Sequence, residues 1–231
     1  MKNKSHICEY LLAALKREYA LQKNDIGADA LLKKRGMTFE TESYEVAGFG
    51  HFCILRMKAF FGLMKMETAV LSPFEADVPL FNLDRVFAAG KETLIAELYD
   101  TQIEPWPQEK QAEFDRIREW DSDLPEKKQE AHWYDGLLYS CSYHKQGKKL
   151  TARFDRTAQA YVNTYLSQLA SAPRCERGEK TAKNAAFARA LTEKGGPAVN
   201  TITKLFGKET AERLILTHMY GVETEKGENA E

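Results

Sequence analysis

Hydrophobic residues recur at helical spacing near both ends of the chain and alternate in short segments between them. Ile7, Leu11 and Leu15 follow a 3.6-residue period, which predicts a helix over residues 6–23. Residues 28–34 are compatible with one or two further helical turns. The same period predicts helices over residues 108–120, 158–170, 180–194, 197–206 and 208–220.

The segments between residues 38 and 99 are short, rich in β-branched and aromatic residues, and separated by turn residues. They predict five strands, over residues 38–47, 52–59, 63–71, 78–88 and 93–99. Because the gaps are too short for helical crossovers, neighbouring strands must pair antiparallel. The aromatic segment 133–144 is compatible with either a strand or an irregular packed segment.

Helices at both ends of such a chain can cover both faces of one sheet. We therefore expect an α+β fold, a three-layer α/β/α sandwich with a central antiparallel sheet, an N-terminal helix and C-terminal helices on its faces. Residues 1–222 are expected to form a single domain. Residues 223–231 carry charge but no large apolar side chain, which predicts a disordered tail.

The net charge and the lengths of the apolar runs indicate which classes of partner the chain can bind. The formal net charge is -1, so the chain as a whole lacks the basic excess typical of nucleic-acid binding. No apolar run approaches the roughly 18 to 20 residues that span a bilayer, so no membrane partner is expected. The residues after Met1 form no signal-peptide core, and a cytoplasmic location is therefore expected.

The sequence also lacks the common motifs for metals and nucleotides. Its four cysteines form no C-x-x-C pair, and Cys141 with His144 supplies at most half of a metal site. No Walker loop and no G-x-G-x-x-G segment occurs. We expect neither a bound metal nor an intrinsic cofactor.

Acidic residues interrupt three of the predicted strands on faces that are otherwise largely apolar. Glu67, Asp84 and Glu97 each have apolar neighbours two residues away on the same strand face. If helices cover both sheet faces, such carboxyl groups have raised pKa values and can hold a proton near neutrality. The alternative is that one face is open to water, as in many antiparallel sheets.

A resemblance to a known family is concentrated in the fourth predicted strand. The run Pro79-Leu80-Phe81-x-x-Asp84-x-Val86 resembles the central strand motif of the ferredoxin-dependent bilin reductases. The preceding turn at 71–75, the segments at 124–126 and 133–140, and the helical segments 161–169 and 206–212 are similar to that family in the same order. The fold also resembles that of the red chlorophyll catabolite reductases.

This resemblance implies an α/β/α sandwich that binds an open-chain tetrapyrrole between the sheet and the C-terminal helices. It implies reduction with electrons from ferredoxin, without a metal or flavin of the enzyme's own, and with protons from side chains of the site. One branch of the family uses a Glu, a His and an Asp on neighbouring strands. Asp84 matches that Asp, Glu67 stands at the position of the His, and Leu55 lies near the position of the Glu.

The resulting hypothesis is a reductase of a bilin-like tetrapyrrole, with ferredoxin or flavodoxin as the electron donor. Asp84 and Glu67 are the candidate proton donors, and they are predicted to point to the same side of the sheet. The candidate ligand-binding residues, which would orient the substrate or meet its propionates, are Asn82, Lys65, Arg56 and Leu55. The sequence leaves three alternatives open: a non-catalytic protein that binds a tetrapyrrole or another flat molecule, an unrelated small-molecule enzyme, and a structural interaction protein.

Overall fold

The structure, a computed structural model, describes residues 7–127 and 131–223, and a continuous antiparallel sheet forms its centre. Seven strands follow the order β1-β3-β4-β5-β6-β7-β8, and β2 pairs with β3 beside β1. The strands are β1 (Leu21–Lys23), β2 (Leu31–Lys34), β3 (Met37–Val46), β4 (Gly50–Ala59), β5 (Met64–Pro73), β6 (Leu80–Ala88), β7 (Lys91–Tyr99) and β8 (Tyr143–Gly147). From β3 to β7 neighbours in sequence are neighbours in space, so the predicted α+β fold with a central antiparallel sheet is confirmed.

Helices cover both faces of this sheet. They are α1 (Ile7–Glu18), α2 (Gln108–Glu119), α3 (Thr151–Ala170), α4 (Arg177–Lys194), α5 (Pro197–Phe206) and α6 (Lys208–Glu212), which continues as a π-helix over Arg213–Met219. One face, called here the α3 face, packs against α1, α2 and α3. The other, called the α5 face, packs against α4, α5, α6 and the π-helix. No helix among the described residues is long and apolar enough to cross a membrane.

The first 35 residues differ from the sequence-based expectation. The predicted helix over 6–23 ends at Glu18, and Leu21–Lys23 instead pairs with the end of β3. The expected helical turns at 28–34 are a short 3₁₀ turn followed by β2. Arg35 and Gly36 have φ values of 50° and 75°, so they form a tight turn that pairs β2 with β3. Backbone pairing along the sheet edge outweighs local helix propensity here.

The structure settles one further segment, and another lies outside the residues it describes. The aromatic segment 133–144 is largely irregular: it contains a 3₁₀ turn at Asp135–Leu137 and reaches β8 only at Tyr143. The predicted tail lies, from residue 224 onward, outside the described residues.

The α3 face is closed by aromatic packing. Phe81 stacks on Tyr165 with ring centroids 4.9 Å apart, and the Tyr165 hydroxyl donates to the Pro79 carbonyl at 2.7 Å. Arg85 is fully buried on this face, and its guanidinium donates to Glu92 at 2.7 Å. The two aromatic rings beside that guanidinium belong to Phe87 and Phe154. The Arg85–Glu92 pair is therefore part of the packed core on this face.

The π-helix is fastened to the connection between β1 and β2. Arg213 donates to both carboxylate oxygens of Asp29, at 2.5 and 2.9 Å, and His218 Nε2 lies 3.0 Å from the same carboxylate. The hydrogen bonds from Arg213 and His218 lower the pKa of Asp29. His51 donates from Nε2 to the His218 carbonyl at 2.9 Å. These contacts fix the position of the helical layer over the α5 face.

Candidate functional site

A cavity of about 370 Å³ lies between the α5 face of the sheet and the helices that cover it. This volume is within the range of sites that hold small organic ligands. Its wall is mostly apolar, formed by strand residues Phe39, Leu55, Met57, Met64, Met66, Val86 and Ile95 and by helix residues Leu191, Val199, Ile202, Ile215 and Met219. Such a cavity favours a mainly apolar ligand.

One polar cluster interrupts the apolar sheet wall. The Thr68 hydroxyl donates to Oδ1 of Asp84 at 2.5 Å. The amide of Asn82 donates to Oδ2 of Asp84 at 3.1 Å and to Oε2 of Glu97 at 3.2 Å, so it bridges the two carboxyl groups. The Tyr99 hydroxyl also donates to Glu97, at 2.6 Å.

A histidine connects this cluster to the edge of the sheet. His144, on β8, lies with its Nε2 atom 3.0 Å from Oε1 of Glu97. Its side chain is partly exposed, whereas that of Glu97 is buried. Lys127 and His132 line the cavity as well, from the segment before β8. The cavity therefore has cationic or polar groups along one side.

The two carboxyl groups differ in their electrostatics. Burial raises the pKa of Asp84 to about 6, and the charge of Glu97 adds to this rise, while hydrogen bonds from Thr68 and Asn82 and the charge of Lys127 oppose it. Burial would also raise the pKa of Glu97. The hydrogen bond and charge of His144, with hydrogen bonds from Tyr99 and Asn82, nevertheless lower the pKa of Glu97 below its usual value.

This difference assigns two chemical roles. Asp84 can hold and release a proton near neutral pH, as a general acid must. Glu97 stays ionised and positions Asn82, Tyr99 and His144. Two titratable groups whose surroundings drive their pKa values apart are typical of a site for proton transfer.

The raised pKa of Asp84 predicts a pH-dependent cost in stability. Above about pH 6 the folded protein must hold a buried charge that the unfolded chain exposes to water. We expect Asp84→Asn to raise the free energy of unfolding by about 1–3 kcal/mol at about pH 8. The gain should shrink as the pH falls through 6 and disappear near pH 3, where both states of the wild type are protonated. Urea unfolding at about pH 8 and pH 4 measures it.

The substitution is well matched to its surroundings. The Thr68 hydroxyl can reverse its role and accept from the new amide, while the amide oxygen accepts from Asn82. Asp115→Asn, at a half-exposed position on α2, is the control and should change stability little at either pH. A gain from Asp84→Asn that is equal at both pH values would contradict the raised pKa.

The structure divides the six residues selected from the sequence into two groups. Asp84, Asn82 and Leu55 line the cavity on the α5 face. Glu67, Lys65 and Arg56 lie on the α3 face, because Asp84 pairs with Thr68 and its neighbour Arg85 pairs with Glu67. Adjacent residues of a strand point to opposite faces. The prediction that Glu67 and Asp84 share one side of the sheet is therefore wrong.

The three predicted site residues on the α3 face lie away from the cavity. Arg56 donates to Glu42 at 2.6 Å and to Glu9 of α1 at 3.2 Å. Glu67 stands in register between Arg56 on β4 and Arg85 on β6. None of these side chains faces the cavity, so a ligand held there contacts neither Arg56 nor Lys65.

The sequence marks Glu97 as an acid on an apolar strand face, but the predicted site residues include neither Glu97 nor His144, Tyr99 or Lys127. The available signal for Glu97 was its position on an apolar strand face, together with the short turn at 89–90 that brings it opposite Asn82. His144 and Lys127 gave no signal, because they reach the site from a segment without regular periodicity. Among the described residues, no group of three or more His, Cys, Asp or Glu side chains is placed to hold a metal.

Comparisons with known proteins agree with this geometry at the level of the fold. No family model matches the sequence, and no curated protein matches it significantly. Among solved structures, the chain is similar to phytochromobilin synthase from tomato in complex with biliverdin, with a TM-score of 0.75 and 12% sequence identity. The match covers 93% of this chain and 82% of that one. Phytochromobilin synthase is a ferredoxin-dependent bilin reductase, so this chain has the fold of that family.

Proposed function

We propose that the cavity binds a bilin-like open-chain tetrapyrrole and that the protein reduces it. The observation that carries this proposal is a single protonatable carboxyl group, Asp84, set in the apolar wall of a ligand-sized cavity. The fold shared with a biliverdin-binding protein supports the choice of ligand. In this proposal the electrons come from an external protein, ferredoxin or flavodoxin, as the resemblance to the bilin reductases implies.

The reaction adds two electrons and two protons across one double bond of the conjugated ligand. The donor protein supplies the electrons, and it is oxidised as the ligand is reduced. Asp84 supplies a proton to the ligand. The second proton comes from solvent, which reaches the Glu97–His144 pair at the partly exposed side chain of His144. Asn82 orients the ligand and holds the two carboxyl groups together.

The residue that binds the ligand's propionate groups must differ from the two predicted from the sequence. Lys65 and Arg56 lie on the other face of the sheet, whereas Lys127 lines the cavity. A lysine is a suitable partner for a carboxylate. We propose that Lys127 meets a propionate of the ligand, with His132, which also lines the cavity, as a second polar contact.

Binding without reduction is the second candidate function. The row of residues directly beside Asp84 consists of Leu55, Thr68 and Ile95, none of which exchanges protons near neutrality. The row from β4 to β7 thus contains one protonatable group, where the resembled family places three on neighbouring strands. This row favours a protein that holds a tetrapyrrole and controls its protonation.

Mixing the protein with biliverdin separates these possibilities. We expect the ligand's visible absorption to shift on binding, and the bound spectrum to change with a midpoint near pH 6 as Asp84 ionises. Reduced ferredoxin should then convert the spectrum to that of a shorter conjugated system. Val199→Trp, which fills the cavity from α5, is the control and should abolish the shift while leaving the circular dichroism unchanged.

The outcomes have different meanings. A shifted spectrum that reduced ferredoxin leaves unchanged supports binding without turnover. An unshifted spectrum at biliverdin concentrations that saturate related proteins contradicts both candidate functions.

A further inference from the structure

One end of the sheet carries apolar side chains that project into solvent. Phe60, Phe61 and Leu63, in the turn between β4 and β5, are 65%, 107% and 78% exposed. Phe60 and Phe61 also have positive φ angles, 51° and 54°, in a region of backbone space that bulky residues avoid. A strained turn that holds large apolar side chains in water indicates a surface with a partner.

The turns beside these residues are basic. Strand register brings the β2–β3, β4–β5 and β6–β7 turns and the end of β8 to the same end of the sheet. Together they carry Lys33, Lys34, Arg35, Lys58, Lys65, Lys91, Lys148 and Lys149. Residues 33–36, 58–65, 89–91 and 147–149 are called here the basic tip. It contains no acidic residue.

The nearest carboxylates do not cancel this charge. Glu40 neutralises one lysine, Lys58, at 3.1 Å. Glu92 is buried and binds Arg85. Because the whole chain has a net charge of only -1, the basic tip is a local concentration of positive charge.

We propose that the basic tip docks the protein on the surface of an anionic lipid bilayer. Phe60, Phe61 and Leu63 enter the boundary between headgroups and acyl chains, and the surrounding lysines contact the anionic headgroups. This combination of apolar insertion with basic flanks is the usual basis of peripheral membrane binding. Docking on a surface needs no spanning segment, so it is compatible with the absence of one among the described helices.

The same features disfavour two other partners. A second copy of the chain would bring two basic tips together, and their charges would repel. A protein partner of stable affinity needs about 800 Å² of surface from each side, whereas the apolar part of the tip is a single projecting turn. A lipid surface adapts to a projecting turn without requiring a matching shape.

The tip is also close to the cavity. Met64 directly follows Leu63 and lines the cavity, as do Met57 and Met66 on the same two strands. A docked protein would therefore hold this side of the cavity near the bilayer, where apolar ligands dissolve. The docking proposal itself does not depend on the identity of the ligand or on the proposed reduction.

Sedimentation with lipid vesicles tests the proposal. In about 0.05 M salt the full chain should sediment with vesicles of equal parts phosphatidylglycerol and phosphatidylcholine, and not with phosphatidylcholine alone. Phe61→Ser should weaken the partition about tenfold, because one buried phenylalanine side chain is lost. Lys33→Glu with Lys34→Glu should weaken it at least about tenfold, since each change reverses a charge at the membrane.

Two exposed residues elsewhere provide matched controls. Trp120→Ser removes an exposed aromatic ring at the end of α2, and Lys16→Glu reverses a charge on α1. Both variants should bind the anionic vesicles as the wild type does. Phe61→Trp reports insertion directly, because lipids brominated on their acyl chains should quench its fluorescence.

Several results would overturn the proposal. These are a wild-type chain that ignores anionic vesicles, a Phe61→Ser variant that binds them undiminished, and a Phe61→Trp side chain that brominated lipids leave unquenched. A dimer in sedimentation velocity that Phe61→Ser dissociates would assign the tip to a second copy. Binding of a soluble acidic protein without vesicle binding would assign the tip to that class of partner.

Discussion

Asp84→Asn is expected to reduce the rate of biliverdin reduction by at least about 100-fold while leaving KM nearly unchanged. The amide keeps the size and the hydrogen-bonding positions of the carboxyl group, so the ligand should still bind. It has no proton to give at neutral pH. Steady-state turnover with reduced ferredoxin measures kcat, and the shift of the bound spectrum measures binding.

Two further variants test whether the loss of rate comes from the loss of the proton donor. Asp84→Glu restores a proton at a displaced position and should recover part of the rate. Asn82→Ala removes the amide that bridges Asp84 and Glu97 and should shift the pH profile of turnover more than it lowers the maximum rate. A full rate in Asp84→Asn would remove Asp84 from the mechanism and leave the cavity as a binding site.

The largest effect on stability is expected on the opposite face, at Arg85. Arg85→Met should lower the free energy of unfolding by about 3–5 kcal/mol, because Glu92 would remain buried without its cation. Chemical denaturation at neutral pH measures this loss. Adding Glu92→Gln should recover much of it, since an amide is cheaper to bury than a carboxylate and still accepts from the Leu150 amide.

Arg56→Met is the matched control for Arg85→Met. Both arginines lie on the α3 face and pair with a glutamate, but the Arg56 side chain is 18% exposed and that of Arg85 is 0% exposed. Because water can solvate Glu42 after the change, Arg56→Met should cost about 1 kcal/mol or less. Equal losses in the two variants would show that burial does not decide the value of these ion pairs.

The sheet could be predicted from the sequence because each of its central strands has a recognisable local pattern. Alternation and turn residues place β3 to β7 within a few residues of their observed bounds. The β6–β7 hairpin turns over two residues, Ala89 and Gly90, and such a turn fixes the register that sets Asn82 opposite Glu97. The pairing of Asn82 with Glu97 could therefore be predicted from the sequence.

The sheet faces on which Asp84 and Glu67 lie could not be predicted in the same way. β5 and β6 are joined by the longer connection 74–79, which determines no register by itself. A slip of one residue moves a whole row of side chains to the other face, so Glu67 faces Arg85 and Thr68 takes the place beside Asp84. The short strands β1 and β2 were missed for a related reason, because their stability comes from β3 and not from their own residues.

The part of the cavity wall formed by Ile215, Met219 and Tyr220 is the last to be made when the chain is translated. These residues follow every other part of the cavity along the chain, and Arg213 and His218 fasten them to Asp29 near its beginning. Chains emerge from the ribosome in order, so the sheet and the α3 face can form before this wall exists. Until Tyr220 has emerged, the apolar surface that includes Leu55, Val70 and Leu80 lacks part of its helical cover on the nascent chain. The cavity is therefore complete only after the π-helix has packed onto the sheet, as the last step in building its wall.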